Sequence, residues 1–223
     1  MSNSRRPIQA RDTKWASSAA RFLYGIGATP NVISLASVAF AALAGACIAV
    51  SSQYVRGDSL LNVLPTWAWL VLGAVFVQCR LLCNLFDGMV AIEFGLKSKS
   101  GELFNDVPDR PADVFILIGA GYSLSALEWG SDLGWIAAVL AVLTAYVRVL
   151  GVAAGTTSYF IGPMAKQHRM ATVTVACLLT AVERSLWYTD YVMTIALSLI
   201  ALGSAVTVGR RLRRIYVDLE GRI

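Results

Sequence analysis

Residues 22–55 read FLYGIGATPNVISLASVAFAALAGACIAVSSQYV, and nowhere from Phe22 to Val55 is there an Asp, Glu, Lys or Arg. About 20 such residues cross the roughly 30 Å of a bilayer's hydrocarbon as a helix. The same absence of charge recurs between Asp58 and Arg80 and between Asp190 and Arg210. Shorter uncharged runs separate Asp113 from Glu128, Asp132 from Arg148, and Arg169 from Glu183. The long runs span unaided. The short ones must carry charges into their ends, which suits helices packed around a polar, water-reached site.

The spacing predicts six spanning helices, near 30–52, 65–87, 108–128, 132–156, 167–186 and 189–209. Before them, Asp12 to Ile26 sets Trp15, Ala19, Phe22, Leu23 and Ile26 at helical spacing, flanked by Arg11, Lys14 and Arg21. That pattern predicts an interfacial amphipathic helix. The expected fold class is an all-α membrane protein: six transmembrane helices preceded by an N-terminal juxtamembrane amphipathic helix. The expected divisions are a tail and interfacial helix over 1–29, a six-helix catalytic domain over 30–209 and a basic cytoplasmic tail over 210–223. Basic and polar residues fill the first 21 positions, so no cleavable signal peptide is expected.

Composition agrees. The chain of 223 residues is 57% hydrophobic and 15% charged, with a mean hydropathy of +0.61. Typical soluble domains have about 45–50% and about 25%. Sixteen of the nineteen Lys and Arg residues fall on one predicted side, leaving Arg56 and Arg184 opposite and Arg80 inside a helix. The basic side is therefore expected to be cytoplasmic and to hold both termini. The net charge of +5 reflects topology and contact with anionic lipid heads rather than nucleic-acid binding, because the basic residues are scattered over several loops and tails. Cys47, Cys79, Cys83 and Cys177 lie within predicted spans without a CxxC pair, and His168 has no ligand partner at zinc spacing.

Six of the fourteen acidic residues sit between positions 87 and 113: Asp87, Glu93, Glu102, Asp106, Asp109 and Asp113. Carboxylates at a membrane end are costly unless paired or bound to a cation, so the cluster marks a candidate site. Asn84, Asp87 and Ala91 share one helix face, as do Asn105, Asp109 and Asp113. Two helix ends thus offer oxygen ligands of the kind hard divalent cations choose. Lys97-Ser-Lys-Ser-Gly101 between them can lie against phosphates, and Pro108 and Pro111 fit the opening turn of the third span.

The segment Asn84-Leu-Phe-Asp87-Gly88-Met-Val-Ala91-Ile92, then eight residues, then Gly101-Glu-Leu-Phe-Asn105-Asp-Val-Pro-Asp109 resembles the CDP-alcohol phosphotransferase signature, D-x-x-D-G-x-x-A-R, eight residues, G-x-x-x-D-x-x-x-D. Asp87, Gly88, Ala91, Gly101 and Asp109 match at the required spacing. Asn84 and Asn105 stand where the family has aspartates, and Ile92 where it has arginine. The resemblance implies a transferase that moves a substituted phosphoryl group, phosphatidyl from CDP-diacylglycerol, to an alcohol acceptor and releases CMP. It implies Mg²⁺ or Mn²⁺, one ion or two, held by Asn84, Asp87, Asn105 and Asp109. Asp87, Gly88, Ala91 and Gly101 would line the CDP site. Asp109 would be the general base, with Asp113 its rival or partner. A homodimer among membrane lipids is also implied.

On the acceptor side, Arg148, Lys166 and Arg169 fall near the signature and suit an acceptor phosphate, as in glycerol 3-phosphate or inositol phosphate. Arg80, two turns inside a span, must find a partner or snorkel. Arg210, Arg211, Arg213 and Arg214 read as a membrane-surface anchor. A catalytically weakened scaffold is the alternative. A transporter would need ionisable residues near the midplane and internal repeats, and the acids here gather at one end instead.

Overall fold

The computed structural model describes residues 13–52, 64–96, 101–124, 127–187 and 189–221, apart from the side chains of Glu102 and Asn105. The described residues form seven helices: α1 Lys14–Gly25, α2 Pro30–Val50, α3 Thr66–Glu93, α4 Gly101–Tyr122, α5 Gly130–Ala153, α6 Lys166–Leu186 and α7 Tyr191–Glu220. Four of them, α2, α3, α5 and α7, are long and apolar enough to cross a membrane. α4 and α6 match them in length, but these two helices carry buried charge.

Local chemistry starts and stops these elements. Thr29 caps α2 by accepting a hydrogen bond from the Val32 backbone N–H at 3.4 Å, and Pro30 occupies the first turn, where no donor is needed. Gly27, at φ +82°, supplies the left-handed turn between α1 and α2. α1 lies across the start of α2 and the end of α3. Its Ala16 and Ala20 are buried with Ile33, Leu85, Met89 and Val90, Trp15 meets Phe86 edge-on at 6.0 Å, and Tyr24 stacks on Phe94 at 4.0 Å.

The six longer helices close into a ring. Each packs mainly against two neighbours, in the order α2, α3, α6, α7, α5, α4 and back to α2. Small residues bring α2 and α4 into backbone contact. A Cβ on Gly119 would meet the carbonyl of Gly45, and one on Gly45 would meet that of Phe115. Close approach through small residues is the usual way apolar helices gain contact where lipid offers no hydrophobic drive. The ring's middle is apolar, built around Ile48, Leu70, Val77, Ile116, Leu117, Met170, Leu197 and Ile200.

One end of the ring is locked by α6. Arg184 is buried and donates to Asp190 Oδ1 at 2.6 Å, to the Ser51 carbonyl at 2.6 Å and to the Ser123 carbonyl at 2.7 Å. The ends of α2, α4 and α6 and the start of α7 are thereby tied to one guanidinium. Glu183 accepts from the backbone N–H groups of Tyr191 (2.8 Å) and Val192 (3.0 Å), which satisfies donors that α7 cannot pair internally.

Three sequence-based boundaries are corrected. α4 begins at Gly101 rather than 108 and ends at Tyr122, so Pro108 and Pro111 lie inside the helix. Each removes one backbone donor, and the turns around them hold because Asp106, Arg110 and Asp109 are tied by side-chain ion pairs. α3 continues past Asp87 to Glu93. α7 continues through Glu220, because Arg211 is buried and donates to the Ile161 carbonyl at 3.0 Å and to the Thr144 carbonyl. Arg211 is therefore part of the packing rather than a surface anchor. Residues 97–100 lie outside the described residues.

The α2–α4 crossing gives a direct test. Gly119→Ala should destabilise the chain by about 1–3 kcal/mol despite alanine's better helix propensity, because the new Cβ strikes backbone. Around Gly209 nothing lies within 4 Å of the position a Cβ would take, so Gly209→Ala should leave thermal unfolding in detergent unchanged or slightly raised.

Candidate active site at one end of the helix ring

α4 presents a line of carboxylates. Asp106, Asp109 and Asp113 are spaced i, i+3, i+7 and so share a face. Asp109 and Asp113 are 4% and 1% exposed, and burying them requires compensation. Each acid meets cations from other helices. Arg148 of α5 binds both oxygens of Asp106 at 2.8 Å, with Arg110 adding a contact at 3.1 Å. Lys166 of α6 pairs with Asp109 Oδ2, while Arg80 of α3 reaches Asp109 Oδ1 at 3.3 Å. Arg80 also donates to Asp113 Oδ1 at 2.7 Å, and Arg169 of α6 donates to Asp113 Oδ2 at 2.6 Å. Arg169 further donates to the Met164 carbonyl at 2.9 Å and to Thr144 Oγ1 at 3.3 Å.

Beside this line stands Asp87, buried at 2% exposure and accepting a 2.6 Å hydrogen bond from Ser34 of α2. It is close enough to Asp109 and Lys166 to interact electrostatically with both. Arg80, Asn84 and Asp87 sit at i, i+4, i+7 on α3 and so share a face. Gly88 is buried beside Asp87, Ala91 is half-buried one turn on, and Gly101 opens α4. The side chain of Asn105 lies outside the described ones.

The structure thus gathers Asp87, Asp109, Asp113, Lys166 and Arg169 in one buried core. Arg148 stands one turn outward, bound to Asp106 and lying over the Phe160 ring at 5.3 Å. Sequence reasoning missed two participants. Arg80 was legible as a charge inside a span, but its partners were not. Ser34 sits in an otherwise apolar run and gave no signal. Asp113, expected as rival or partner of the base, and Asp106 are both committed to ion pairs. Glu93 is exposed, and His168 is exposed with Nδ1 at 2.8 Å from the Pro163 carbonyl.

Three buried acids, Asp87, Asp109 and Asp113, face three cations, Arg80, Lys166 and Arg169, so the core is formally neutral with its own side chains alone. Four nitrogens in it are buried without a hydrogen-bond partner: Arg80 Nε and Nη1, Arg169 Nε and Asn84 Nδ2. Among the described residues no group of three or more His, Cys, Asp or Glu side chains forms a metal centre. The oxygens a hard cation would use here are carboxylates from two facing helices, Asp87 and Asp109; the unpaired Asn84 atom is the amide nitrogen, a hydrogen-bond donor. One or two carboxylates completed by substrate phosphate oxygens are a common Mg²⁺ arrangement.

No family model matches this chain, and no curated protein sequence matches it. Solved structures do. Phosphatidylinositol phosphate synthase of Mycobacterium tuberculosis with CDP-DAG bound matches with a TM-score of 0.70 at 20% identity, over 92% of this chain and 94% of that one. The same synthase in complex with manganese and citrate matches at 0.71 and 20% identity, over 90% and 88%. Its apo form matches at 0.67 and 20% identity, over 89% and 95%. This chain therefore has the fold of that synthase along nearly its whole length.

Burial grades the ion pairs. Asp113→Asn should cost about 3–5 kcal/mol of stability, since it strips charge from the pocket that holds Arg80 and Arg169. Asp106→Asn, where the carboxylate side chain is 39% exposed, should cost under about 1 kcal/mol. Unfolding of the two variants in the same detergent checks the contrast.

Proposed function

We propose that this chain is a divergent CDP-alcohol phosphotransferase that moves a phosphatidyl group from CDP-diacylglycerol to an alcohol and releases CMP. The reading rests on one observation above all: the two carboxylates that match the family signature, Asp87 and Asp109, come from the ends of α3 and α4 and meet in one buried polar core. The likeness of fold to a synthase solved with CDP-DAG supports the donor. In this reading α2 to α7 are six spans, α1 lies in the membrane interface, and the site and both termini face the cytoplasm. Residues 30–209 form the catalytic domain, with 1–29 and 210–223 as its flanks.

The chemistry follows from the side chains. The acceptor hydroxyl oxygen attacks the phosphorus that bears the diacylglycerol, the bond from that phosphorus to CMP breaks, and CMP leaves with the electron pair. The hydroxyl proton passes to Asp109. Asp109 is held by Lys166, whose side chain is 27% exposed, and transfer of that ammonium to a substrate phosphate would free Oδ2. Asp113, locked between Arg80 and Arg169, holds the base's neighbours in place. A Mg²⁺ or Mn²⁺ ion bound by Asp87 and Asp109 with Asn84 and Asn105 would neutralise charge on the pyrophosphate and on departing CMP. Gly88, Ala91 and Gly101 leave room for the nucleotide.

For the acceptor, Lys166 of α6 and Arg148 of α5 are partly exposed cations brought to the acid line from other helices, and their partners Asp109 and Asp106 are one turn apart on α4. Their spacing supports a phosphorylated polyol, such as glycerol 3-phosphate or inositol phosphate, with buried Arg169 anchoring the wall behind them. A second reading, a non-catalytic membrane scaffold, is favoured by the pairing of Asp106, Asp109 and Asp113 with protein cations. Divalent-cation-dependent CMP release from CDP-diacylglycerol in the presence of candidate alcohols separates the two, since a scaffold releases none.

Two outcomes are expected. Asp87→Asn and Asp109→Asn should each remove nearly all CMP release while the protein still folds, and near-normal turnover in either would eliminate the site. Arg148→Ala should raise the acceptor KM by roughly 10- to 150-fold, the worth of one charge-assisted hydrogen bond at about 1.5–3 kcal/mol, and leave the CDP-donor KM nearly unchanged. A preference for an uncharged alcohol would overturn the acceptor assignment alone.

A further inference from the structure

Arg80 is, with Arg169, among the largest fully buried side chains of the described residues, at 0% exposure, and it projects from α3 into the line of α4 carboxylates. A fixed positive charge is expensive to bury and persists only where fixed negative charge surrounds it. Its partners are Asp109, one of the two signature acids, and Asp113. On its own helix face it is followed by Asn84, where the family pattern has an acid, and then by Asp87. We infer that the Arg80 guanidinium, held between Asp109 and Asp113, takes the place of a second divalent ion, so that the chain binds no more than one such ion. This rests on the transferase reading for the location of the site, but not on turnover.

The balance of charge supports it. The family pattern supplies four carboxylates at these positions, a surplus of negative charge that divalent ions offset. Here two are amides, which removes two negative charges, and Arg80 adds one positive charge. Over the four pattern positions the site is more positive by two, and Arg80 brings a further positive charge that Asp113 balances. A second divalent ion would sit beside a buried guanidinium, and like charges a few ångströms apart in a water-poor site repel strongly. The oxygens are also spoken for: Asp113 gives one to Arg80 and one to Arg169, and Asp109 gives one to Arg80 and one to Lys166.

The unspent groups point the same way. Arg80 Nε and Nη1, Arg169 Nε and Asn84 Nδ2 are buried donors without acceptors. Buried N–H groups left unpaired cost stability unless a ligand completes them. Donors complete an oxyanion, not a metal ion. Where a four-acid site gathers acceptors around two cations, this one gathers hydrogen-bond donors fit for phosphate oxygens beside a single carboxylate pair.

Mn²⁺ binding to the purified full chain in nanodiscs, followed by electron paramagnetic resonance in the presence of CDP, tests this. No more than one Mn²⁺ per chain is expected. Asn84→Asp with Asn105→Asp should not raise that number, because Arg80 is still present. Adding Arg80→Met to that pair should raise it to two. Two ions in the wild type, or a folded triple variant that gains none, overturns the inference. If the triple variant does not fold, the wild-type stoichiometry decides alone. A chain that binds one ion yet releases no CMP leaves the inference standing and sinks the transferase reading.

Discussion

Burying three carboxylates along one face of α4 constrains everything else at that end of the molecule. Asp106, Asp109 and Asp113 can be buried or half-buried there only because α3, α5 and α6 each bring a cation to them. Removing one partner from a buried pair leaves an uncompensated charge, a far larger penalty than the pair's own net worth. The relative rotation of four helices is therefore set by electrostatics rather than by apolar packing, which tolerates many arrangements among alanines and leucines. α4 and α6 carry this charge, and their composition departs from that of the four apolar helices for that reason.

The two ends of the ring solve the same problem differently. At the end opposite the acid line, Arg184 spends its guanidinium on Asp190, the Ser51 hydroxyl and carbonyl, and the Ser123 carbonyl. Its donors are matched by two backbone carbonyls and two side-chain oxygens at helix ends, so the group is structural. At the acid end, Arg80 and Arg169 retain buried donors with no acceptor. Trp69, Thr180 and Ser204 also have unpartnered buried atoms, so it is the gathering of such donors beside the acids that marks the site.

Much of this was legible in the sequence, but not evenly. The uncharged runs located the starts of the apolar helices to within a few residues, since length and hydropathy are local properties, but missed how far α3 and α7 continue at their charged ends. The spacing from Asp87 to Asp109 located the acid pair. What failed was of two kinds. Pro108 and Pro111 read as the first turn of a helix, yet α4 starts at Gly101, because side-chain ion pairs hold the turns in which the prolines remove backbone bonds. The long-range pairings were also invisible. Ser34 meets Asp87 across 53 positions, and Arg184 meets Ser51 across 133. Such contacts depend on which way each helix faces in the ring, and no local pattern encodes that. Arg211 illustrates the cost: as one of four arginines in a basic tail it looks like a membrane anchor, yet its helix continues and carries it into the packing.

The acid line also grades from fixed to exchangeable. Arg80 and Arg169 have side chains at 0% and 1% exposure and hold the innermost acid, while Arg148 and Lys166, at 21% and 27%, hold the outer two. In the proposed transferase reading, a substrate phosphate would meet the outer cations first and compete with Asp106 and Asp109 for them. The Arg148–Asp106 pair is partly exposed on both sides, so exchange there costs little, whereas buried Asp109 keeps its contact to Arg80 when Lys166 moves. Transfer of Lys166 to a phosphate would leave Asp109 with Arg80 alone, by a 3.3 Å contact, and more able to take a proton. The inner pair would meanwhile keep the helices in register. The same line of ion pairs that lets α4 fold among apolar neighbours would then also couple the arrival of a charged substrate to release of the base.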